Sequence, residues 1–124
     1  MIRAIILVGV GGGIGSIFRY LTSVLVNKHF HPVFPWATFI ANILGCLIIG
    51  LLLGLFERHQ LTNPDLKYLF ITGFCGGYTT FSTFATENMD LFQTGNSLMA
   101  FLYIASSILV GILAVWLGMF FTKM

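Results

Sequence analysis

The chain has 124 residues, of which 57% are hydrophobic and 8% charged, with a formal net charge of +2. Soluble domains carry roughly 25% charged residues, so this composition excludes an ordinary soluble globule and predicts an all-α integral membrane protein, one domain over residues 1–124. The small net charge offers no footing for nucleic acid, and Cys46 and Cys75, both inside apolar runs, provide neither a disulfide framework nor metal-ligand spacing.

Four membrane spans of ~20 residues are expected. The first covers about residues 4–26. It is too long for the apolar region of a signal peptide and lacks a cleavage site. Gly9, Gly11, Gly12, Gly13 and Gly15 crowd it, which predicts close helix packing. Four short spans rarely enclose a pathway alone, so dense glycine packing argues for an oligomer. Near the end of this span, Arg19 either snorkels or pairs with a carboxylate, or else makes an electropositive vestibule that draws anions.

A turn with Lys28, His29, His31, Pro32 and Pro35 leads to the second span, about residues 36–56. It carries Gly45, Gly50 and Gly54. Asn42 lies mid-span, where its amide serves an interhelical hydrogen bond or donates to a permeant anion. The polar stretch Glu57 to Lys67, with Asn63-Pro64-Asp65, separates the second span from the third.

The third span, about residues 68–92, holds Gly73-Phe74-Cys75-Gly76-Gly77-Tyr78-Thr79-Thr80-Phe81-Ser82-Thr83-Phe84 at its centre. Adjacent glycines and a cluster of hydroxyls predict a helix broken near Gly76. Freed backbone groups in hydrocarbon cost several kcal/mol each, so the break must face protein, water or an ion. Phe81 and Phe84 either pack as ordinary apolar side chains or offer the electropositive edges of their rings. Ring edges, hydroxyls and an amide suit a small hydrated anion, which a basic side chain would hold too tightly for conduction. Glu87 and Asp90, farther along, are expected to be interfacial carboxylates near Arg19.

Gly95-Asn96-Ser97 makes a short turn into the fourth span, about residues 98–121. Tyr103, Ser106 and Ser107 in it are candidate packing or pathway hydroxyls. Four spans place both termini on one side. That side carries Arg3, Arg58, Lys67 and Lys123 against Lys28 on the other, a lean towards cytoplasmic termini. So few charges are compatible with both orientations.

These motifs resemble the Fluc/CrcB family of small fluoride channels over essentially the whole chain. The resemblance is carried by Gly11-Gly12-Gly13-Ile14-Gly15-Ser16 with Arg19-Tyr20, by Thr38-Phe39-Ile40-Ala41-Asn42-Ile43-Leu44-Gly45, and by the run from Gly73 to Phe84. It departs at Ala37, where glycine is often found, and at Gly111, where relatives can carry a hydroxyl. The resemblance implies a dual-topology antiparallel homodimer with two fluoride pathways along the subunit interface. It implies a sodium ion (Na+) on the two-fold axis, held by main-chain carbonyls at the positions of Gly76 and Thr79. Oxygen ligands from a broken helix suit such a hard cation. It also implies that Phe81 and Phe84 touch fluoride with Asn42 as a donor, that Ser82, Thr83, Tyr103 and Ser107 line the path, and that Glu87 lies near it.

The function expected on this basis is passive export of cytoplasmic fluoride across the plasma or inner membrane of a microbe, conferring fluoride resistance. No catalytic constellation or nucleotide motif is present in the sequence. A small proton-coupled multidrug exporter is the first rival, but it wants a buried acid in the first span, which here has Arg19 and no carboxylate. A non-transporting assembly subunit is the second, and it has no need of hydroxyls and phenylalanines around a mid-membrane break.

Overall fold

The computed structural model describes residues 1–30 and 33–123. His31 and Pro32, part of the expected first turn, lie outside the described residues. All regular structure among those described is helical. Helices α1 (Ile2–His29), α2 (Trp36–Arg58) and α6 (Ser97–Lys123) are each long and apolar enough to cross a membrane. The remaining crossing is made in pieces: α3 (Pro64–Leu66), a π-helical stretch (Lys67–Cys75), α4 (Gly76–Tyr78) and α5 (Phe81–Gln93). The chain is a multi-pass membrane protein.

Local chemistry sets the ends. Asn63 caps α3, accepting from the Asp65 amide, with Pro64 at the first helical position. Gly95 takes a left-handed φ of 81° in the turn before α6. Arg3 pairs with Asp65 at 2.9 Å and Lys123 with Glu57 at 3.0 Å. These pairs gather the start of α1, the end of α2, the start of α3 and the end of α6 at one end of the bundle. Both termini therefore share a side, as four crossings require.

Glycine sets the packing along two seams. On the first, α1 lies against the interrupted segment. A Cβ on Gly11 would overlap the Leu69 carbonyl, one on Gly15 the Phe74 carbonyl, and one on Gly77 the backbone of Gly12. On the second, α2 lies against α6, where a Cβ on Gly50 would meet the Val115 carbonyl and one on Gly118 the backbone of Leu47 and Leu51. This is the small-residue contact expected where lipid supplies no hydrophobic drive. Both seams lie within a single chain, while Gly9 and Gly13 of α1 have nothing within 4 Å of an added Cβ.

The break falls just past Gly76, at Thr79 and Thr80. Gly76 is right-handed helical, φ −62° and ψ −37°. The chain becomes extended at Thr79, φ −87° and ψ 159°, and at Thr80, φ −150° and ψ 120°. The adjacent glycines permit close approach, and the threonines make the interruption. Hydroxyl side chains that bond to nearby backbone compete with helix in this way.

Candidate functional site

Four side-chain bonds build the break. The Thr80 hydroxyl accepts from the Thr83 amide at 3.3 Å, capping α5. The Thr79 hydroxyl donates to the Cys75 carbonyl at 2.9 Å. From α2, Asn42 Oδ1 accepts from the Thr80 amide at 2.8 Å, and Asn42 Nδ2 donates to the Thr80 carbonyl at 3.2 Å. Asn42 is therefore an interhelical staple, and its second Nδ2 proton remains for another acceptor.

These bonds also release carbonyls. In a continuous helix the Thr80 amide would serve the Gly76 carbonyl, and the Thr83 amide the Thr79 carbonyl. Both amides are given to side chains instead. Two main-chain oxygens at the break thus lose their helical donors, and Gly76 is exposed.

A groove of ≈ 420 Å³ runs past this point, lined by Asn42, Cys46, Cys75, Gly76, Thr79, Thr80, Phe81, Phe84 and Ser107 among apolar neighbours. The fold thus brings together six of the expected site residues: Asn42, Gly76, Thr79, Phe81, Phe84 and Ser107. Phe81 is 79% exposed, more than any other Phe, Tyr or Trp ring among the described residues. Its ring centroid lies 5.9 Å from that of Phe84, which meets Tyr103 edge-on at 4.8 Å. The Ser107 hydroxyl is buried with no hydrogen-bond partner.

Arg19 and Thr83 fall elsewhere, in a second cavity of ≈ 220 Å³ with Ser16, Tyr20, Ser23, Thr38 and Thr80. Arg19 Nε donates to the Gly77 carbonyl at 3.1 Å, at the last turn before the break. Cations favour the carbonyl end of a helix. The expected closeness of Arg19 to Glu87 or Asp90 is not seen as an ion pair among the described residues. Glu87 instead accepts from Thr38 Oγ1 and from Tyr103 OH, each at 2.9 Å, one on each carboxylate oxygen. Thr38 borders the second cavity, so this cluster joins it to the Phe84 and Tyr103 rings. Ser82 lies exposed, 3.4 Å from the Thr80 hydroxyl, and borders neither cavity.

Sequence reasoning gave no site role to Thr38, Thr80 or Cys46. Thr80 stood inside the singled-out run, and its position as cap was readable from Thr80-Phe81-Ser82-Thr83. The tie between Tyr78 and Thr22, whose hydroxyls lie 2.8 Å apart, has no signal at a separation of 56 residues.

Among known proteins, the family described as "CrcB-like protein, Camphor Resistance (CrcB)" matches residues 6–119. A protein of Flavobacterium psychrophilum named "Fluoride-specific ion channel FluC" is 48% identical over 121 residues, covering 98% of each chain. Proteins of the same name are 46% identical in Azobacteroides pseudotrichonymphae, over 99% of this chain and 98% of the relative, and 40% identical in Phocaeicola vulgatus, over 98% and 99%. The chain belongs to the CrcB family.

Proposed function

We propose that this protein is a passive fluoride-selective channel that lets cytoplasmic fluoride leave the cell. Relatives that match almost the whole chain are named fluoride-specific ion channels. The observation that carries the reading is the groove itself. It sets an exposed phenyl ring, an amide with a spare proton and an unpartnered hydroxyl around a mid-span break, with no basic side chain among its lining. Such donors replace hydration water weakly enough for an ion to leave.

The direction of transport follows from acid–base chemistry. Hydrogen fluoride is a weak acid that enters neutral and ionises inside. A negative interior then drives the anion out with about 2.3 kcal/mol per charge per 100 mV. The channel needs no coupling reaction.

In this proposal Asn42, Phe81, Phe84 and Ser107 contact the ion, Thr83 lines the second cavity, Ser82 stands on the exposed side of the break, and Tyr103 backs the Phe84 ring. Arg19 lends positive potential from the second cavity, and Glu87 holds Tyr103 in place. The exposed ring and groove belong against a second copy in antiparallel orientation, residues 1–124 acting as one four-span unit in the plasma or inner membrane of a microbe. The Gly76 and Thr79 carbonyls, with their helical donors diverted, are the residues that would hold a sodium ion on the two-fold axis. Two oxygens from each copy make four hard ligands, which would lock the interface.

Fluoride efflux from proteoliposomes tests the reading. Fluoride should leave, and chloride should stay. Efflux of a lipophilic cation in place of fluoride would mark an exporter, and no efflux of any ion an assembly subunit. Cysteines placed in the Glu57–Lys67 loop should label from both sides of whole cells; labelling from one side alone would end the antiparallel homodimer.

A further inference from the structure

Phe34 stands on the connection from α1 to α2, two residues before α2 begins at Trp36. Its half-buried ring turns back into the bundle and packs against the buried cluster of Leu91, Ala100 and Tyr103. The start of α2 holds it there. The Trp36 amide donates to the Phe34 carbonyl at 2.9 Å, and the Trp36 and Phe39 rings lie 4.6 and 5.5 Å from the Phe34 ring, centroid to centroid. Phe34 in turn meets Tyr103 edge-on at 5.2 Å. Tyr103 is fully buried, and among the described residues its ring partners are Phe34 and Phe84. These two contacts hold the tyrosine by its ring, and the bond to Glu87 holds it by its hydroxyl. An unbroken row of rings thus runs from Phe34 through Tyr103 and Phe84 to Phe81 in the groove.

We propose that Phe34 is a positioning residue for permeation: it buttresses Tyr103 and through it sets the edge that Phe84 presents to the groove, a role resting on the reading of that groove as the fluoride pathway. Phe34 lines neither cavity, so it acts only through Tyr103. Protein interiors are close-packed and pass strain on. Phe34→Leu removes ring atoms beside a tyrosine with no exposed surface, and neighbours relax into such a void only in part. Tyr103 keeps its tie to Glu87 and tilts about it. The Phe84 ring, whose centroid is 4.8 Å from that of Tyr103, follows, and its edge leaves the place where an ion meets it. Leucine keeps the position apolar, so the chemistry of the groove is unchanged and only this alignment is lost.

The experiment measures fluoride efflux from proteoliposomes for single and double variants. Phe34→Leu should slow efflux about fivefold to tenfold, within the coupling range of residues in contact, with the dimer intact in the same sample. In a Phe84→Met background, where the Phe84 ring is gone, adding Phe34→Leu should change the rate by less than about twofold. A packing role alone would give the same fold loss in both backgrounds. A second readout needs no flux. With 4-fluorophenylalanine incorporated at position 84, Phe34→Leu should shift the single fluorine resonance, although Tyr103 stands between the two rings. Phe101→Leu, whose ring partner is Phe92, should leave it in place. Undiminished efflux in Phe34→Leu, equal losses in the two backgrounds, an unmoved resonance, or an equal shift with Phe101→Leu overturns the proposal. If Phe34→Leu does not assemble, Phe34→Met, closer in volume to phenylalanine, takes its place under the same criteria. Wild-type liposomes that release no fluoride would sink the channel reading instead, and the resonance would still decide whether Phe34 sets Phe84.

Discussion

Asn42 and Thr80 are joined twice, side-chain amide to peptide, at 2.8 and 3.2 Å. This pair binds α2 to the start of α5 and holds the Thr80 amide away from Gly76. Asn42→Asp keeps an acceptor for that amide but turns a carboxylate oxygen towards the Thr80 carbonyl and places negative charge on the groove. Fluoride efflux should fall by at least about tenfold, equivalent to about 1.4 kcal/mol at the barrier. Efflux at the wild-type rate, in protein shown to be dimeric, would remove Asn42 from the pathway.

Arg19 approaches the break from α1. If its guanidinium anchors the Gly77 carbonyl, Arg19→Met should lower stability by about 1.5–3 kcal/mol, the range for a hydrogen bond to a charged group. Arg19→Gln, which keeps an N–H donor without charge, should recover part of the loss. Thermal unfolding in detergent measures both. Identical melting of wild type and Arg19→Met would leave Arg19 with only an electrostatic role.

Much of this architecture was legible from sequence, because bilayer thickness forces long apolar runs. The three unbroken helices begin or end within a few residues of the expected spans. The third crossing announced its interruption through Gly76-Gly77 and the hydroxyl run. The extended residues fall just past Gly76 because glycine is a breaker only where its conformation is used, and Gly76 is ordinary helix. The extended residues, Thr79 and Thr80, are fixed by a cap and by Asn42, a partner 38 residues away that no local pattern reveals. Arg19 illustrates the same limit. Its charge suggested a carboxylate, whereas the fold offers it a helix end.

Gly76 separates demands of the chain from demands of a partner. Within the subunit the nearest atom to an added Cβ is the Ile71 carbonyl oxygen at 3.9 Å, and the backbone is helical. Gly76→Ala should therefore leave the monomer's fold intact. If the Gly76 carbonyl faces a second copy and a sodium ion, the same change should weaken dimerisation and the dependence of flux on sodium during purification. Thr79→Ser retains the hydroxyl bond to Cys75 and should preserve both. A wild-type protein indifferent to sodium removal, without a central ion by anomalous scattering, would refute the sodium assignment.

The first glycine seam makes a stability prediction independent of transport. Gly9 has nothing within 4 Å of an added Cβ, while Gly11 has the Leu69 carbonyl in its way. Gly9→Ala should be neutral or stabilising by about 0.5–1 kcal/mol through backbone entropy. Gly11→Ala should push α1 from its neighbour and cost about 1–3 kcal/mol, as overpacking does. Equal stability of the two variants would contradict the packing of α1 described above.

Phe81 and Phe84 have different surroundings, and that difference separates electronics from packing. Phe81 is 79% exposed in the subunit, so Phe81→Ile should leave the stability of a single chain nearly unchanged. Phe84 has the Tyr103 edge contact to lose, and Phe84→Ile should cost about 0.5–1.5 kcal/mol beyond its buried area. If ring edges replace water around the ion, both changes should cut fluoride efflux, including the one that costs no stability. Methionine, with its polarizable sulfur, should retain more flux than isoleucine at either position. Were the rings packing residues alone, flux would instead follow side-chain volume and dimer integrity, and methionine and isoleucine would behave alike. Efflux and dimer integrity measured on the same samples decide the matter, and unchanged efflux in both isoleucine variants would take the aromatic pair out of the site.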